Sequence, residues 1–206
     1  MRPPGLPPFS VVVLAAGGSS RLGMPKQLVR LDGEPLVCRA ARLAHESGAR
    51  SVLIVTGGSR ETVEEALGGA SVRLAFNAGW AEGPGTSLRT GLEALLADPS
   101  RPRDEPAVLM LCDQPFVTAE HLRALVEHVA RGHPAAASEY GGESGFGVPA
   151  AFAAELLPEL LALNAQQGAK PVLMRHRERL ALVPFPAGLV DVDTPADLER
   201  LGLSRP

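Results

Sequence analysis

The chain has 206 residues, 45% of them hydrophobic and 21% charged, which suits one domain with a full core and excludes a disordered chain. A formal net charge of -3 excludes the basic excess of a nucleic-acid binder while leaving room for a local cationic site. Two separated cysteines, Cys38 and Cys112, and histidines without a His-Glu-x-x-His pattern give no zinc site, so both thiols are expected to be reduced and buried.

The opening MRPPGLPPFS holds four prolines and is expected to be a loose leader over residues 1–9, with a single domain over 10–206. It cannot be the apolar core of a signal peptide, and the run from Val11 to Ala16 is too short to span a membrane, so a cytoplasmic protein is expected. Val11–Ala15 is a β-branched run, as buried parallel strands are. Leu36, Val37, Ala40, Leu43 and Ala44 recur at helical spacing, and Gly48 is placed to stop that helix.

SVLIVT (Ser51–Thr56) is the second predicted strand, ETVEEAL (Glu61–Leu67) a helix, and VRLAF (Val72–Phe76) a third strand. A helix follows with Leu88, Leu92, Leu95 and Leu96 on one face. Asp98–Glu105 reads as a polar surface loop and AVLMLC (Ala107–Cys112) as a strand. Thr118 should cap a helix reaching Arg131, and Ala135–Ser138 reads as another strand. Beyond Tyr140, helices are expected over Pro149–Leu163 and Gly168–Arg175, then a strand at Leu180–Val183. A last helix starts at Pro195, with Thr194 as N-cap and Asp197 near the third position. This alternation predicts an α/β fold: a doubly wound, mostly parallel sheet with helices on both faces.

The first strand runs straight into AAGGSSRLGMPK (Ala15–Lys26). Gly17, Gly18 and Gly23 let the backbone turn tightly, Ser19 and Ser20 add hydroxyls, and Arg21 and Lys26 add two positive charges. Backbone amides plus cations are what a triphosphate requires, and ligands of open α/β sheets sit at the carboxyl ends of strands. The loop is not a Walker A loop, because Met24-Pro25 follows Gly23, and it lacks the Gly-x-Gly-x-x-Gly spacing of a dinucleotide fold.

The full string LAAGGSSRLGMPKQL resembles the nucleotidyltransferase signature Leu-Ala-Ala-Gly-x-Ser-x-Arg-x-Gly-x-Pro-Lys-x-Leu, with Ser19 in the serine slot by spacing. Three more segments agree in order: NAGWAEGPGTSLRTGL (Asn77–Leu92), LCDQPFV (Leu111–Val117) and VDVDTPADL (Val190–Leu198). Together they resemble the molybdenum-cofactor cytidylyltransferase family, and the match covers nearly the whole chain past the leader.

The resemblance implies a nucleotide-diphospho-sugar transferase-like fold of Rossmann type. It implies transfer of CMP from CTP to a molybdopterin-type molybdenum cofactor, with release of pyrophosphate and Mg2+ as cofactor. A molybdenum hydroxylase is the implied recipient of the product. Guanylyl-transferring relatives tend to have Leu-Ala-Gly-Gly where this chain has Leu14-Ala15-Ala16-Gly17, which favours CTP over other nucleoside triphosphates. One position departs from the family pattern: Gln166 stands in NAQQGAKPVL (Asn164–Leu173) where relatives often carry an acid. That half is expected to hold the acceptor, so another small phosphorylated acceptor stays open, as does a non-catalytic nucleotide-binding chaperone.

Lys26, Arg21 and Asp113 are the expected catalytic residues. The nucleotide is expected on Leu14, Ala15, Ala16, Gly17, Gly18, Ser19, Arg21, Lys26, Asn77, Gly83 and Ser87, with Ser87 near the base. Asp113 stands where an apolar strand ends, which suits a ligand for a hard divalent cation needing one or two carboxylates. Asp193 is the expected second ligand, ahead of Asp191, which alternation puts on the same side. Trp80 is read as packing under the loop ahead of stacking on a ligand, Gln114 as a group beside the metal, and the GGESGFG run after Tyr140 as either a loop over the acceptor or a plain connection. His121 and His128, seven apart on one helix, are assigned to a solvated face.

Overall fold

The computed structural model describes residues 5–19, 22–141, 145–190, 192 and 194–206. In chain order the strands and helices are β1 (Ser10–Leu14), β2 (Arg30–Leu31), β3 (Glu34–Pro35), α1 (Leu36–Glu46), β4 (Ser51–Thr56), α2 (Arg60–Ala66), β5 (Arg73–Phe76), α3 (Pro84–Leu96), β6 (Ala107–Leu111), α4 (Ala119–Ala130), β7 (Ala135–Gly141), β8 (Gly145–Phe152), α5 (Leu157–Leu161), α6 (Lys170–Arg175), β9 (Ala181–Pro184) and α7 (Pro195–Leu201).

Seven strands form one sheet in the order β5-β4-β1-β6-β8-β7-β9, and β2 and β3 make a small separate hairpin. Val11 pairs with Val52 on one side of β1 and with Val108 on the other, both in parallel. The loops after β4, β1 and β6 therefore open side by side on one edge of the sheet. Only β8 runs against its neighbours, antiparallel to both β6 and β7.

Alternation along each strand divides the core into two layers. Val11, Val13, Ile54, Val108 and Met110 meet α1 and α4 through Val37, Ala40, Leu122, Leu125 and Val126. Val12, Leu53, Val55 and Leu109 face α3, α5 and α6 through Leu88, Leu92, Leu95, Leu160 and Val172. Gly91 is the point of closest approach of α3: a Cβ there would lie 2.6 Å from Val12 Cγ1 and 2.8 Å from Val55 Cγ2. A third, smaller cluster gathers Leu22, Val29, Leu36, Val192, Leu198 and Leu203. It joins the arm after the glycine loop to α7, and Arg30 bridges Ser204 beside it.

Several expectations need correction. Pro149–Phe152 belongs to strand β8, not to a helix over Pro149–Leu163, and the helix α5 is confined to Leu157–Leu161. Ala150, Ala151 and Phe152 are fully buried between two strands, and this tertiary setting overrides the helical preference of the alanines. Pro149 is accommodated because the pairing passes from Ala137↔Ala150 to Ser138↔Gly147 and skips it, as prolines in sheets require. Leu96 is 41% exposed and leaves the buried face that Leu88, Leu92 and Leu95 share.

Cys38 is only half-buried, donating to the Ala66 carbonyl, while Cys112 is buried, and both are free thiols. Leu6 and Phe9 are buried in the α1/α4 layer, so the core begins inside the expected leader. Glu105, at the end of the expected surface loop, is also buried: it accepts from Ser10 Oγ and, at 2.6 Å, from Arg50 Nε. Among the described residues no helix is long and apolar enough to cross a membrane.

Candidate active site

Past Leu14 the chain leaves the sheet but stays tied to it, Ala15 donating to the Val55 carbonyl at 2.9 Å. The next three carbonyls are all occupied. Gln27 Nε2 donates to Ala15 O at 2.8 Å and to Gly17 O at 2.7 Å, and Gly58 N donates to Ala16 O at 3.1 Å. Among the described residues the amides of Ala16, Gly17 and Gly18 have no hydrogen-bond partner. Ser19 then turns the chain at a left-handed φ of 51°, and its Oγ accepts from the Lys26 amide at 3.0 Å. The loop thus closes on itself, with Gln27 fully buried inside it.

These residues line a cavity of about 520 Å³, with Leu14, Ala15, Ala16, Gly17, Gly18 and Lys26 on one side and Leu111, Cys112 and Asp113 on another. Trp80, Ala81, Gly83, Pro84 and Ser87 complete the wall. Asp113 is 4% exposed and forms an ion pair with the Lys26 ammonium. Burial pushes the neighbouring Cys112 thiol far above its ordinary range, so it stays protonated and takes no part as a thiolate. The chemistry of the cavity is therefore that of a cation, a carboxylate and amides that have no partner among the described residues.

The wall opposite the loop is built from the segment before α3. Gly83, at φ 137°, lies where a Cβ would be 2.4 Å from the Ala165 carbonyl, so only glycine fits. Gly85 N donates to Ala165 O, Arg89 to Leu163 O at 2.8 Å, and Gln166 Nε2 to Glu82 O at 2.5 Å. The departing residue Gln166 thus braces this wall. Trp80 lies against two glycines, since a Cβ on Gly18 or Gly58 would fall within 2.9 Å of its ring. It packs beside the loop and also shows part of its face to the cavity.

Nine of the expected residues come together on this cavity: Leu14, Ala15, Ala16, Gly17, Gly18, Lys26, Gly83, Ser87 and Asp113. Ser19 and Asn77 do not line it. Asn77 is buried and spends its amide on Thr86 Oγ1 at 2.8 Å and Ser87 Oγ at 2.9 Å, while its oxygen accepts from Gly79 N. It orients Ser87 instead of facing the cavity. Arg21, Asp191 and Asp193 lie outside the described residues. Gln27 was missed by sequence reasoning, since the signature leaves that position open and nothing in its type marks which carbonyls will fold back onto it.

His121 is a correction. It is buried, 2.7 Å from Ser138 Oγ and stacked on Phe185 at 4.5 Å, and burial holds its ring at a pKa of about 4. His128 is half-buried. Tyr140 donates to the Val148 carbonyl, which also accepts from Gln114 Nε2 at 3.0 Å. The tip of the GGESGFG run, residues 142–144, lies outside the described residues. Among the described residues no group of three or more His, Cys, Asp or Glu gathers that would hold a metal unaided. The buried Asp113 oxygens suit a hard cation that takes its remaining ligands from phosphate and water.

A larger open depression of about 610 Å³ lies on the other side of Gly57 and Gly58, lined by Pro25, Arg60 and Phe76 among others. Its arginine is occupied, bonded to Glu64 and laid over the Phe76 ring.

A glycine-rich loop and its lysine on one side of a cavity, with an acid on another, at the carboxyl ends of parallel strands, fit the α/β nucleotidyltransferase class. The chain belongs to the family of the MobA-like NTP transferase domain, whose model matches residues 11–180. Among curated proteins it is similar to the bifunctional protein GlmU of Caldanaerobacter subterraneus subsp. tengcongensis, at 33% identity over 125 residues, 59% of this chain and 26% of that protein. The chain spans about a quarter of the length of such relatives.

Among solved structures, Rv0371c from Mycobacterium tuberculosis superposes with a TM-score of 0.76 at 29% identity, covering 95% of this chain and 98% of the other. A second structure of that protein is a complex with manganese, with a TM-score of 0.72 at 27% identity over 95% and 98% of the two chains. A nucleotidyl transferase from Methanothermobacter thermautotroptrophicus superposes at 0.78, with 26% identity and 96% of each chain covered.

Proposed function

We propose that this nucleotidyltransferase moves CMP from CTP to a molybdopterin-type molybdenum cofactor and releases pyrophosphate. The observation that carries the reading is the polarity of the loop: three carbonyls tied back, three amides without partners among the described residues, and Lys26 and Asp113 on the same cavity. Amides and cations recognise phosphate oxygens, and neutralising their charge is most of the work in attack on a phosphorus atom.

In this reading the Ala16–Gly18 amides, Lys26 and Arg21 hold the triphosphate, and Ser87 and Gly83 receive the base. Asp113, with Asp193, would hold Mg2+, which when bound neutralises phosphate charge as the reaction proceeds. An acceptor phosphate oxygen forms a new bond to the α-phosphorus, the bond from that phosphorus to the β-bridging oxygen breaks, and pyrophosphate leaves. Lys26 stabilises the negative charge that builds on the α-phosphoryl oxygens. The alanine at position 16, in Leu14-Ala15-Ala16-Gly17, supports cytidine over guanosine.

A second reading keeps the reaction and changes the acceptor to another small phosphate, such as a sugar or polyol phosphate. It is favoured by Gln166, whose amide is spent on the Glu82 carbonyl, so the position has no acid to offer an acceptor. The deciding experiment incubates the protein with Mg2+ and each of CTP, GTP, ATP and UTP, with and without molybdenum-loaded molybdopterin, and measures pyrophosphate. Release with CTP only when the pterin is present is the expected result. Binding of CTP without release under any of these conditions would sink the molybdopterin assignment.

A further inference from the structure

A peptide unit is planar and trans, so the carbonyl of one residue and the amide hydrogen of the next point in opposite directions. Fixing the carbonyls of Ala15, Ala16 and Gly17 therefore fixes the amides of Ala16, Gly17 and Gly18. Gly58 holds the middle carbonyl, and one side chain, Gln27, holds the other two.

We propose that Gln27 is the positioning residue that sets the polarity of the nucleotide loop, holding the Ala15 and Gly17 carbonyls back so that the Ala16 and Gly18 amides are offered to phosphate. The inference rests on the reading that this loop binds a triphosphate. Gln27 touches no part of the cavity, being fully buried behind the loop.

The chemistry of the side chain is specific. A carboxamide nitrogen carries two hydrogens, and each is spent on one carbonyl. An ionised glutamate offers only acceptors, leucine offers nothing, and asparagine is one methylene too short to reach both. The conformational freedom of Gly17 and Gly18 is what makes such a pin necessary, because a glycine peptide flips at little steric cost. A flipped unit would turn a carbonyl dipole toward the phosphates in place of an amide. Ser19 secures the far side of the same turn through the Lys26 amide, so the loop is held at both ends.

The test uses the full chain and calorimetric titration with inorganic tripolyphosphate without magnesium, which reads the loop apart from Asp113, and with magnesium CTP. Q27L is expected to lose about tenfold or more in affinity for both probes, by the loss of oriented amide contacts. Q27E at neutral pH is expected to lose more. Relative to wild type at the same pH, it should recover part of its affinity as pH falls toward the glutamate range, where the neutral carboxyl donates one bond.

A merely structural role would lower the melting temperature of Q27L and leave its affinity for both probes at the wild-type value, and that result overturns the inference while the proposed function stands. Wild-type protein that binds tripolyphosphate but no nucleotide would sink the proposed function and leave the role of Gln27 measurable. If Q27E does not fold, Q27L decides alone.

Discussion

Lys26 and Asp113 form an ion pair on the cavity, so replacing Lys26 should act with opposite signs on phosphate and on metal. On the proposed reading Lys26→Met removes a phosphate contact, so pyrophosphate release should fall on the order of 10²–10³-fold. The same change releases the Asp113 carboxylate, so manganese binding without nucleotide should tighten. Weaker metal binding in the variant would show that Asp113 does not serve the metal. His121 supplies a second residue-scale prediction. Its folded pKa of about 4 lies below the ordinary 6.5, so between those values the unfolded chain binds a proton that the folded chain does not. Stability is then full above pH 6.5 and falls as pH drops toward 4, by at most about 1.4 kcal/mol per pH unit. His121→Leu should flatten that part of a melting-temperature profile. The glycines, Lys26 and Asp113 were legible because each breaks the local pattern, an acid at the end of an apolar strand above all. Gln27 and His121 were not, because their roles depend on what folds back over them.

Among the elements, α3 adds Pro84 and Ser87 to a wall otherwise built from the segment before it, and Gly91 sets the distance of the helix from the sheet. Gly91→Ala would gain about 1 kcal/mol in helix propensity, but the added methyl meets two stiff valines, and overpacking of that kind costs about 1–3 kcal/mol. The clash should win, with a lower urea midpoint and, because Ser87 rides on the same helix, weaker CTP binding. An unchanged midpoint would mean that the helix shifts without strain. Most elements could be read from period and punctuation: Thr118 accepts from the His121 amide as an N-cap should, and Thr194 with Asp197 forms the capping box expected of that spacing. Strand β8 could not, since Pro149, Ala150 and Ala151 carry no strand signal of their own. Their conformation is imposed by burial between β6 and β7, a contact between distant stretches of chain.

For the whole molecule, the doubly wound plan followed from alternating strands and helices, but the single reversed strand did not, and it is β8 that turns the second half of the sheet back alongside Asp113. The cluster of Leu22, Val29, Leu36, Val192, Leu198 and Leu203 has a separate consequence. A chain cut after Val190 keeps both layers of the sheet and should still unfold cooperatively in urea, yet its arm beyond the glycine loop loses the floor it rests on. Such a chain should fail to bind CTP, and normal binding would show that the arm holds its shape unaided. During synthesis the same arrangement imposes an order of events. The glycine loop is made before β4 and every later strand of the sheet, but its arm can meet α7 only after β9 has been made. Closing so long a loop is slow relative to local folding. The growing chain can therefore pair β1, β4 and β6 before its arm has α7 to rest on, and nucleotide should protect against urea only chains that extend through α7.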